Sequence, residues 1–438
     1  RLIAALQTPT HAPLAGQFKL TDPRLCSDGN VSLNDTWGTI PTCSLEMTMN
    51  ATVPGALRAA LPVYADPAAL YISANDFDKP TLVVSRAKIA QAYDALKAGL
   101  GQAQIHYAVK ANPAQQVIRT LVLKGSGFDA ASRQEIELCL SQGARPQDIS
   151  FGNTIKRGCD IAFAYQAGVR LFAADSEAEL EKIAKHAPYG QVYIRVIVEN
   201  SLADWPLSRK FGCAPSEVLD LLEHARALGL VAYGLSFHVG SQTRQAEFWN
   251  PVLDDVAVLW HAARAAGHDL RLINLGGGFP AFYGEHVQVP RSYAAAVMAA
   301  VSARFGHVPH VMAEPGRGLV AEAGHIAAEV MLVSRKSADD LHRWVYLDIG
   351  RFSGLAETEG EAICYQIVTP HDEGEVGPCI LAGPSCDSAD ILYEKRPISL
   401  RLALRHGDKV MIRNCGAYTS SYSSVGFNGF PPLDVIVL

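Results

Sequence analysis

Charged residues are scarce in this 438-residue chain, and no block of like charges stands out. Asp, Glu, Lys and Arg together make up 19% of the residues, and the formal net charge is −6. Proteins that bind nucleic acid or anionic lipid through their surface normally carry a basic patch or stripe. The composition therefore predicts no nucleic-acid partner, and its acidic balance suits small cationic molecules better.

Long apolar runs are also missing. No stretch reaches the roughly 18 apolar residues that a membrane-spanning helix needs, and the opening residues RLIAALQTPTHAPLAG lack the apolar centre of a secretory signal. We therefore expect no membrane contact and a cytoplasmic location. Hydrophobic residues nevertheless make up 49% of the chain, which predicts a large buried core.

The nine cysteines contain no C-x-x-C pair, the spacing typical of zinc sites and thiol redox enzymes. Their number is odd and their positions are scattered, so the sequence indicates no disulfide framework. We expect reduced thiols and no metal site.

A repeated pattern fills the middle of the chain, where short β-rich runs alternate with longer stretches rich in Ala, Leu and Glu. This alternation is typical of β/α units around a parallel sheet. Eight units predict a closed (β/α)8 barrel of the TIM type over residues 81–322, with functional groups at the carboxyl ends of its strands. The candidate strands are IHYAVKA, SGFDAAS, DISFGN, VRLFAAD, QVYIRVI, VAYGLSFHVGS, RLINLGGG and HVMAEPGRG.

The remainder of the chain has a different pattern. Residues 323–438 contain short β-rich runs separated by Gly, Pro and Asp turns, which predicts a mainly antiparallel β domain. The segment 61–80 is expected to pack with that β domain and form part of it. Residues 1–60 have weak periodicity and are treated as an N-terminal extension of no predictable order.

Polar residues follow the predicted strands at equivalent positions. Any one of them alone has an ordinary structural explanation, such as a lysine exposed to solvent at the edge of the barrel or a core histidine whose hydrogen bonds are all made. So many at the same relative position are hard to attribute to packing, because burying polar groups costs free energy. The residues are Lys110, Asp129, Asn153, Asp175, Arg195, His238 and Glu314, with the triple glycine 276–278 after the seventh strand.

Two motifs near the last strands favour a phosphate site. LGGGFP, residues 275–280, offers consecutive backbone N–H groups to an anion, although a glycine run alone is often only a tight turn. In a (β/α)8 barrel the phosphate site is expected after strands seven and eight. EPGRG follows the eighth strand and supplies Arg317, so the two motifs support each other.

A lysine, a phosphate site and a carboxylate at the carboxyl ends of the barrel strands, here called the barrel mouth, together indicate pyridoxal 5′-phosphate. This cofactor needs a lysine for covalent attachment, an anion site and an acidic partner for its ring nitrogen. Lys110 and Glu314 are predicted for the first and last of these roles. The largely apolar strand before Lys110 is expected to lower the pKa of its ammonium by desolvation.

The chain resembles the fold-III pyridoxal-phosphate-dependent decarboxylases, most closely the ornithine enzymes. The resemblance implies decarboxylation of L-ornithine to putrescine and CO2, a step of polyamine biosynthesis. The matching motifs run in family order from about residue 80 to the end of the chain. They are YAVKANP, GFDAAS, FHVGSQ, LGGGFP, AEPGRG, GPSCDSADIL and GAYTSSYSSVGFNGF.

The resemblance also assigns roles to the residues around the cofactor. Lys110 would hold it covalently, His238 would stack on its ring, and Glu314 would pair with its pyridine nitrogen. The remaining contacts divide into a phosphate group and a supporting group. The phosphate group is Ser241, Gly277, Gly278, Arg317 and Tyr418; the supporting group is Asp129, Glu135 and Arg195.

In this family the active site is completed across the interface of a homodimer, and the CDSAD element comes from the partner chain. The resemblance implies that Cys386 delivers or steers a proton after CO2 leaves. Asp387 would bind the distal amino group of a small cationic amino acid, with Asp348 as a second acid of that pocket.

The sequence departs from the animal enzymes in ways that keep other substrates open. Asn274 stands where those enzymes carry Asp, and GRFSGLAETEGEAICY is closer to the bacterial ornithine and ornithine/lysine enzymes. Lysine, or both amino acids, are therefore alternatives. The diaminopimelate branch generally has Glu in place of Asp387 and an arginine without a clear counterpart here, and biosynthetic arginine decarboxylases of this fold are much longer.

Three other classes are also considered. A racemase would share the barrel and lysine but use a tyrosine as second base in place of CDSAD. A regulatory homologue resembling antizyme inhibitor would make no amine, and the intact Lys110, Glu314 and Cys386 count against it. A phosphate-sugar barrel enzyme would leave Lys110 and CDSAD unexplained.

Overall fold

The computed structural model describes residues 66–199, 202–205, 210–371 and 373–438. The predicted extension 1–60 lies outside these ranges. The described chain contains a closed barrel of eight parallel strands and a separate eight-stranded sheet. Both predicted parts of the fold are therefore confirmed.

The described chain begins with helix α1 (Pro67–Ala74) and strand β1 (Thr81–Val84). Asp66 caps the helix, because its carboxylate accepts hydrogen bonds from the backbone of Ala68 and Ala69. The joining segment was predicted at 61–80, and the strand that enters the sheet follows directly after it.

The barrel strands follow one another around the ring in chain order, and the eighth closes on the first. Seven lie within a predicted run, and β2 begins one residue before its run, at Gln104. Most strand residues are buried, as expected of a parallel sheet covered by helices. The strands are β2 (Gln104–Ala108), β3 (Gly127–Ala130), β4 (Ile149–Phe151), β5 (Leu171–Ala174), β6 (Gln191–Arg195), β7 (Val231–Ser236), β8 (Leu272–Asn274) and β9 (His310–Ala313).

Amphipathic helices cover the barrel. In the first of them, Ile89, Tyr93, Leu96 and Leu100 are buried at spacings of three and four residues, which places them on one face. The helices are α2 (Arg86–Leu100), α3 (Gln115–Leu123), α4 (Arg133–Ser141), α5 (Gly158–Gln166), α6 (Glu177–His186), α7 (Val218–Ala227), α8 (Asn250–Ala265), α9 (Pro290–Phe305) and α10 (Arg317–Val320). None of the described helices is long and apolar enough to cross a membrane.

The barrel interior is filled by side chains that form a small apolar cluster of Ala173, Tyr193, Leu272 and Met312. The barrel is therefore a packed core rather than a channel. The polar residues that follow the strands lie above this packed core, at the carboxyl ends.

The second sheet is mainly antiparallel, with two parallel pairs, β1 with β16 and β11 with β13. β1 also pairs with β10, so the start and the end of the described chain meet in this sheet. Sequence analysis did not predict β14. The remaining strands are β10 (Gly324–Ser334), β11 (Arg343–Leu347), β12 (Ile367–Val368), β13 (Val376–Ala382), β14 (Ile398–Arg401), β15 (Lys409–Ile412) and β16 (Asp434–Val437).

Candidate active site

Lys110 lies in a single helical turn, Val109–Ala111, directly after β2. Asn112 stabilises the end of this turn, because its side-chain amide donates to Gly416 O at 2.9 Å and its side-chain oxygen accepts from Ala114 N at 3.1 Å. A backbone hydrogen bond of 2.8 Å from Tyr418 N to Ala111 O brings the β domain against the same turn. The lysine is thus presented at the contact between the barrel and the β domain.

The charge of Lys110 is balanced by Asp129 on the neighbouring strand β3. Lys110 Nζ lies 3.2 Å from Asp129 Oδ2, and half of the lysine side chain (50%) is exposed. The carboxylate of Asp129 raises the pKa of Lys110 above its usual value, and this effect outweighs desolvation. The predicted lowering of the lysine pKa is therefore wrong in the cofactor-free chain.

Glu314 follows β9 and is held by Asn274 at the end of β8. Asn274 Nδ2 donates to Glu314 Oε1 at 2.5 Å, and Asn274 Oδ1 accepts from Gly276 N at 2.9 Å. Burial and the nearby Asp129 raise the pKa of Glu314 to about 8. The carboxyl group therefore retains its proton at neutral pH in the cofactor-free chain, and Asn274 supplies a donor that an aspartate at this position would lack.

His238 follows β7 and packs against the glycine loop. Its Nδ1 accepts a hydrogen bond of 3.0 Å from Gly240 N, which assigns the ring proton to Nε2. Burial, together with the positive charges of Arg195 and Lys110, keeps the pKa of His238 well below its ordinary value. The ring is therefore neutral, as a group that stacks on an aromatic cofactor should be.

The glycine loop has no room for side chains. A β-carbon at Gly277 would lie 2.8 Å from His238 Nε2, and one at Gly278 would lie 2.6 Å from Val239 Cγ2. Gly278 also has a φ of 103°, which L-residues rarely adopt. The loop brings its backbone close to the neighbouring loop 239–243, and a glycine backbone without side chains fits a phosphate.

Arg317 is buried beside this loop, with 3% of its surface exposed, and pairs with an equally buried Glu357. Its Nη1 and Nη2 bind the two carboxylate oxygens of Glu357 at 2.7 and 2.6 Å. Nε and Nη2 donate to Ser241 Oγ at 3.3 and 3.1 Å, and Nη1 donates to Tyr283 OH at 3.0 Å. Since Ser241 Oγ accepts from Arg317, its own hydroxyl proton is free for an anion.

Tyr418 closes the other side of the phosphate region. Its φ of 55° is unusual for a residue with a side chain, and its ring lies 5.0 Å from the Arg317 guanidinium. Burial raises the pKa of the Tyr418 hydroxyl, so it acts as a donor. A β-carbon at Gly316 would lie 2.9 Å from this hydroxyl oxygen, which explains the glycine in EPGRG.

The supporting residues have partners of their own. Glu135 Oε2 accepts from Ala131 N at 2.6 Å and so fixes the loop between β3 and α4. The Arg195 guanidinium lies 5.2 Å from the Phe211 ring. Asp129 Oδ1 is buried and has no hydrogen-bond partner among the described residues.

Two other strand-end residues stabilise loops. Asn153 Nδ2 donates to Ala131 O at 3.3 Å, and Asp175 Oδ2 accepts from Gly212 N at 2.8 Å. The mouth therefore uses only part of the set of polar strand-end residues.

The CDSAD element belongs to the β domain. Cys386 and Asp387 are both exposed, on the loop after β13. Neither makes a hydrogen bond or ion pair with Lys110 or Glu314 in the described part of the chain. Asp348, after β11, accepts from Glu329 N at 2.8 Å, and burial raises its pKa to about 6.

The cavity with a volume of about 580 Å³ lies at the opposite end of the barrel. Its lining includes Gln191, Val231, Arg271 and His310, which lie at the amino ends of strands β6 to β9. None of the predicted site residues lines it, so it does not belong to the cofactor mouth.

The comparisons with known proteins agree with this site. Residues 86–321 match the family model of the pyridoxal-binding domain of pyridoxal-dependent decarboxylases. The matched region begins with α2 and ends just after EPGRG, so it contains Lys110, His238, the glycine loop, Glu314 and Arg317. The chain belongs to the pyridoxal-dependent decarboxylases.

Members of this decarboxylase family match over most of their length. A lysine/ornithine decarboxylase of Selenomonas ruminantium is 32% identical over 354 residues, covering 80% of this chain and 87% of its own. The structure of the Vibrio vulnificus lysine/ornithine decarboxylase complexed with cadaverine covers 84% of this chain and 97% of its own, with 33% identity and a TM-score of 0.75. The arginine decarboxylase of Paramecium bursaria Chlorella virus covers 82% and 96%, with 28% identity and a TM-score of 0.74.

The cofactor of this decarboxylase is pyridoxal phosphate, and the residues of the mouth fit it. The amine of Lys110 is accessible, the glycine cradle leaves no space for side chains, and Glu314 carries a proton to share with a ring nitrogen. Ser241 and Tyr418 add hydroxyl donors for the phosphate. The chain is therefore a pyridoxal-phosphate-dependent carboxy-lyase.

Sequence reasoning missed Glu357 as a residue of this site. It stands in LAETEG, a segment quoted only for its similarity to the bacterial enzymes. A charged residue directly after an apolar pair gives no local sign of burial. Its pairing with Arg317, 40 residues away in the chain, appears only when the two domains are assembled.

Proposed function

We propose that this decarboxylase converts L-ornithine to putrescine and CO2. The observation that carries the proposal is the exposed loop that presents Cys386 and Asp387 side by side after β13. A carboxylate beside a proton-donating thiol suits a substrate that carries a second, distal ammonium group. The complete set of mouth residues, from Lys110 to Tyr418, supports turnover rather than regulation.

The residues of this chain divide the chemical work. Lys110 would hold the cofactor, and the neutral ring of His238 would stack on the cofactor ring. Glu314 would share the proton of its carboxyl group with the pyridine nitrogen. Bound pyridoxal phosphate supplies the electron sink that makes loss of CO2 possible.

The remaining groups control the proton and the charges of the substrate. Asp129 lies against Lys110 Nζ and compensates its positive charge. Cys386 delivers the proton to the substrate carbon that has lost CO2. Asp387 pairs with the distal ammonium of the substrate, and Asp348 is the second acid of this pocket.

The choice between ornithine and lysine depends on the length of the pocket. One methylene group is worth about 1 to 3 kcal/mol in an apolar pocket, so one enzyme can accept both amino acids. Lysine is therefore the alternative substrate. Chain length does not separate this chain from the arginine enzymes, because this chain covers 96% of the viral arginine decarboxylase; arginine belongs in the same test.

We propose that the enzyme is a cytoplasmic homodimer with shared active sites. Cys386 and Asp387 are exposed and have no ionic or hydrogen-bonding contact with the mouth of their own chain within the described residues. The partner subunit would supply this loop to the mouth. Such a dimer uses the same surface twice and requires no further protein.

A substrate panel tests the proposal. The purified protein, loaded with pyridoxal phosphate, is given L-ornithine, L-lysine, L-arginine and meso-diaminopimelate in separate reactions, and the amine products are separated and quantified. We expect putrescine from ornithine with the highest kcat/KM. A higher kcat/KM for another amino acid would contradict the substrate, and racemisation without any amine product would contradict the reaction.

A further inference from the structure

We propose that Asp390 is a positioning residue that fixes the loop carrying Cys386 and Asp387. The inference rests on the proposed function, because these two residues matter only if the loop acts on substrate. Asp390 itself ends the CDSAD element, and it is 97% buried since only 3% of its surface is exposed. Both oxygens of its carboxylate are bonded within the β domain.

The carboxylate of Asp390 accepts hydrogen bonds from two separate segments. Its Oδ1 accepts from Arg351 N at 2.7 Å, in the turn after β11. Its Oδ2 accepts from Ser385 N at 3.1 Å and from Ser385 Oγ at 2.7 Å, directly before Cys386. Hydrogen bonds to a carboxylate are stronger than neutral ones, so these bonds fix the two segments firmly.

Two glycines close the space around this carboxylate. A β-carbon at Gly350 would overlap Asp390 Oδ1, and one at Gly383 would overlap Asp390 Oδ2. Both glycines have ordinary φ values, so the reason for them is close packing rather than backbone conformation. At both positions the backbone lies so close to the Asp390 carboxylate that only glycine fits.

The loop is also held from its other side. Asn428 Oδ1 accepts from Cys386 N at 3.1 Å and lies 3.5 Å from Cys386 Sγ. Within the loop, Asp387 Oδ1 accepts from Ala389 N at 2.8 Å, and Asp390 N donates to Asp387 O at 3.1 Å. Cys386 and Asp387 are thus exposed but not free to move independently.

The consequence is a fixed position of the loop relative to the neighbouring strand. β11 and β13 are parallel neighbours, so the turn after β11 and the loop after β13 lie at the same edge of the sheet. Asp390 joins these two segments. It thereby sets where Cys386 and Asp387 stand when the loop is presented to the partner subunit.

Replacing Asp390 with Asn, of the same size, tests this role. Asp390→Asn places an NH2 group against N–H donors and weakens the bonds to both segments. We expect kcat for ornithine to fall about tenfold, as for a misplaced catalytic group. A larger share of turnovers should end with a proton on an atom other than the substrate carbon that has lost CO2. The affinity for pyridoxal phosphate should stay unchanged.

A second measurement does not use the catalytic reaction. In the cofactor-free protein, the rate at which iodoacetamide alkylates Cys386 is followed by mass spectrometry of the modified peptide. We expect Asp390→Asn to raise this rate severalfold, because a loosened loop releases the exposed thiol from its contact with Asn428 Oδ1 more often. Ser385→Ala, which removes only the 2.7 Å hydroxyl bond, should give a smaller change in the same direction and serves if Asp390→Asn does not fold.

Asp408→Asn is the matched control. Asp408 also lies in the β domain, where it accepts from Arg405 N at 2.9 Å and contacts His371 Nε2 at 2.7 Å. The substitution Asp408→Asn should lower the Tm but leave the alkylation rate of Cys386 and the product ratio unchanged. If Asp390→Asn and Ser385→Ala behave like this control, the positioning role is overturned. The alkylation result remains valid even if the wild type decarboxylates none of the amino acids, which would refute the proposed function alone.

Discussion

Lys110 shows how a single neighbour can reverse an expectation drawn from the sequence. The run before it is apolar, and desolvation alone would lower the pKa of its ammonium. Asp129, 19 residues further along the chain, lies on the next strand at 3.2 Å and raises the pKa instead. The identity and place of the lysine could be predicted from the strand pattern, whereas the pKa of the lysine depends on a contact made when β2 and β3 pair.

Glu314 offers a test of the electrostatics at the scale of one residue. Its pKa is raised from 4.5 to about 8 in the cofactor-free chain. Between these values the unfolded chain loses the proton and the folded chain keeps it, so this group makes stability fall as pH rises. The slope is at most about 1.4 kcal/mol per pH unit.

Glu314→Gln should remove this dependence. The difference in free energy of unfolding, variant minus wild type, should rise from about pH 5 to about pH 8 and then level off. Chemical denaturation of the cofactor-free proteins at several pH values measures the difference. Glu217→Gln, at an exposed position, is the control; a Glu314→Gln difference that does not vary with pH would show that the carboxyl group is not held protonated.

At the scale of elements, sequence reasoning was most successful for the barrel. All eight strands match the predicted runs to within one residue, because a parallel strand covered by helices leaves a largely apolar segment. It was less successful in the β domain, where ISLR forms β14 between charged and turn residues and has no distinct signal. The buried pair of Arg317 and Glu357, which joins the two domains, depends on assembly in the same way as the pair at Lys110.

The glycine loop yields a prediction at the element scale. Gly278→Ala should lower the affinity for pyridoxal phosphate at least tenfold, because the new methyl group would meet Val239 Cγ2 at 2.6 Å and displace the cradle. Affinity is measured by titrating the cofactor-free protein and following absorbance. Gly278→Ala should lower the affinity for pyridoxal, which has no phosphate, by less, because pyridoxal does not depend on the glycine loop.

Gly267→Ala is the control for backbone strain. Gly267 also has a positive φ, of 90°, but a β-carbon added there would have no atom within 4 Å. Both variants should lose about 1 to 2 kcal/mol of stability from the backbone conformation. Equal cofactor affinity in the two variants would mean that the loop does not hold the phosphate.

At the scale of the whole molecule, the central question is how Lys110 and Cys386, which share no hydrogen bond or ion pair within the described residues, come to act at one site. A homodimer with shared sites resolves it, and mixing tests it. Lys110→Ala and Cys386→Ala chains, each impaired alone, are denatured together and refolded. Random pairing makes about half of the dimers mixed, each with one intact site of two, so about a quarter of wild-type activity should return. Activity no higher than the mean of the two separate variants would place both residues in one chain's site.

Every role assigned to the barrel mouth depends on decarboxylation at Lys110. The most direct measurement is CO2 release from L-ornithine by the wild type and by Lys110→Ala, both supplied with pyridoxal phosphate and checked for an unchanged fold. We predict steady CO2 release by the wild type and none above background by the variant. No CO2 from the cofactor-loaded wild type with any of the four amino acids, or equal release by both proteins, would contradict these roles.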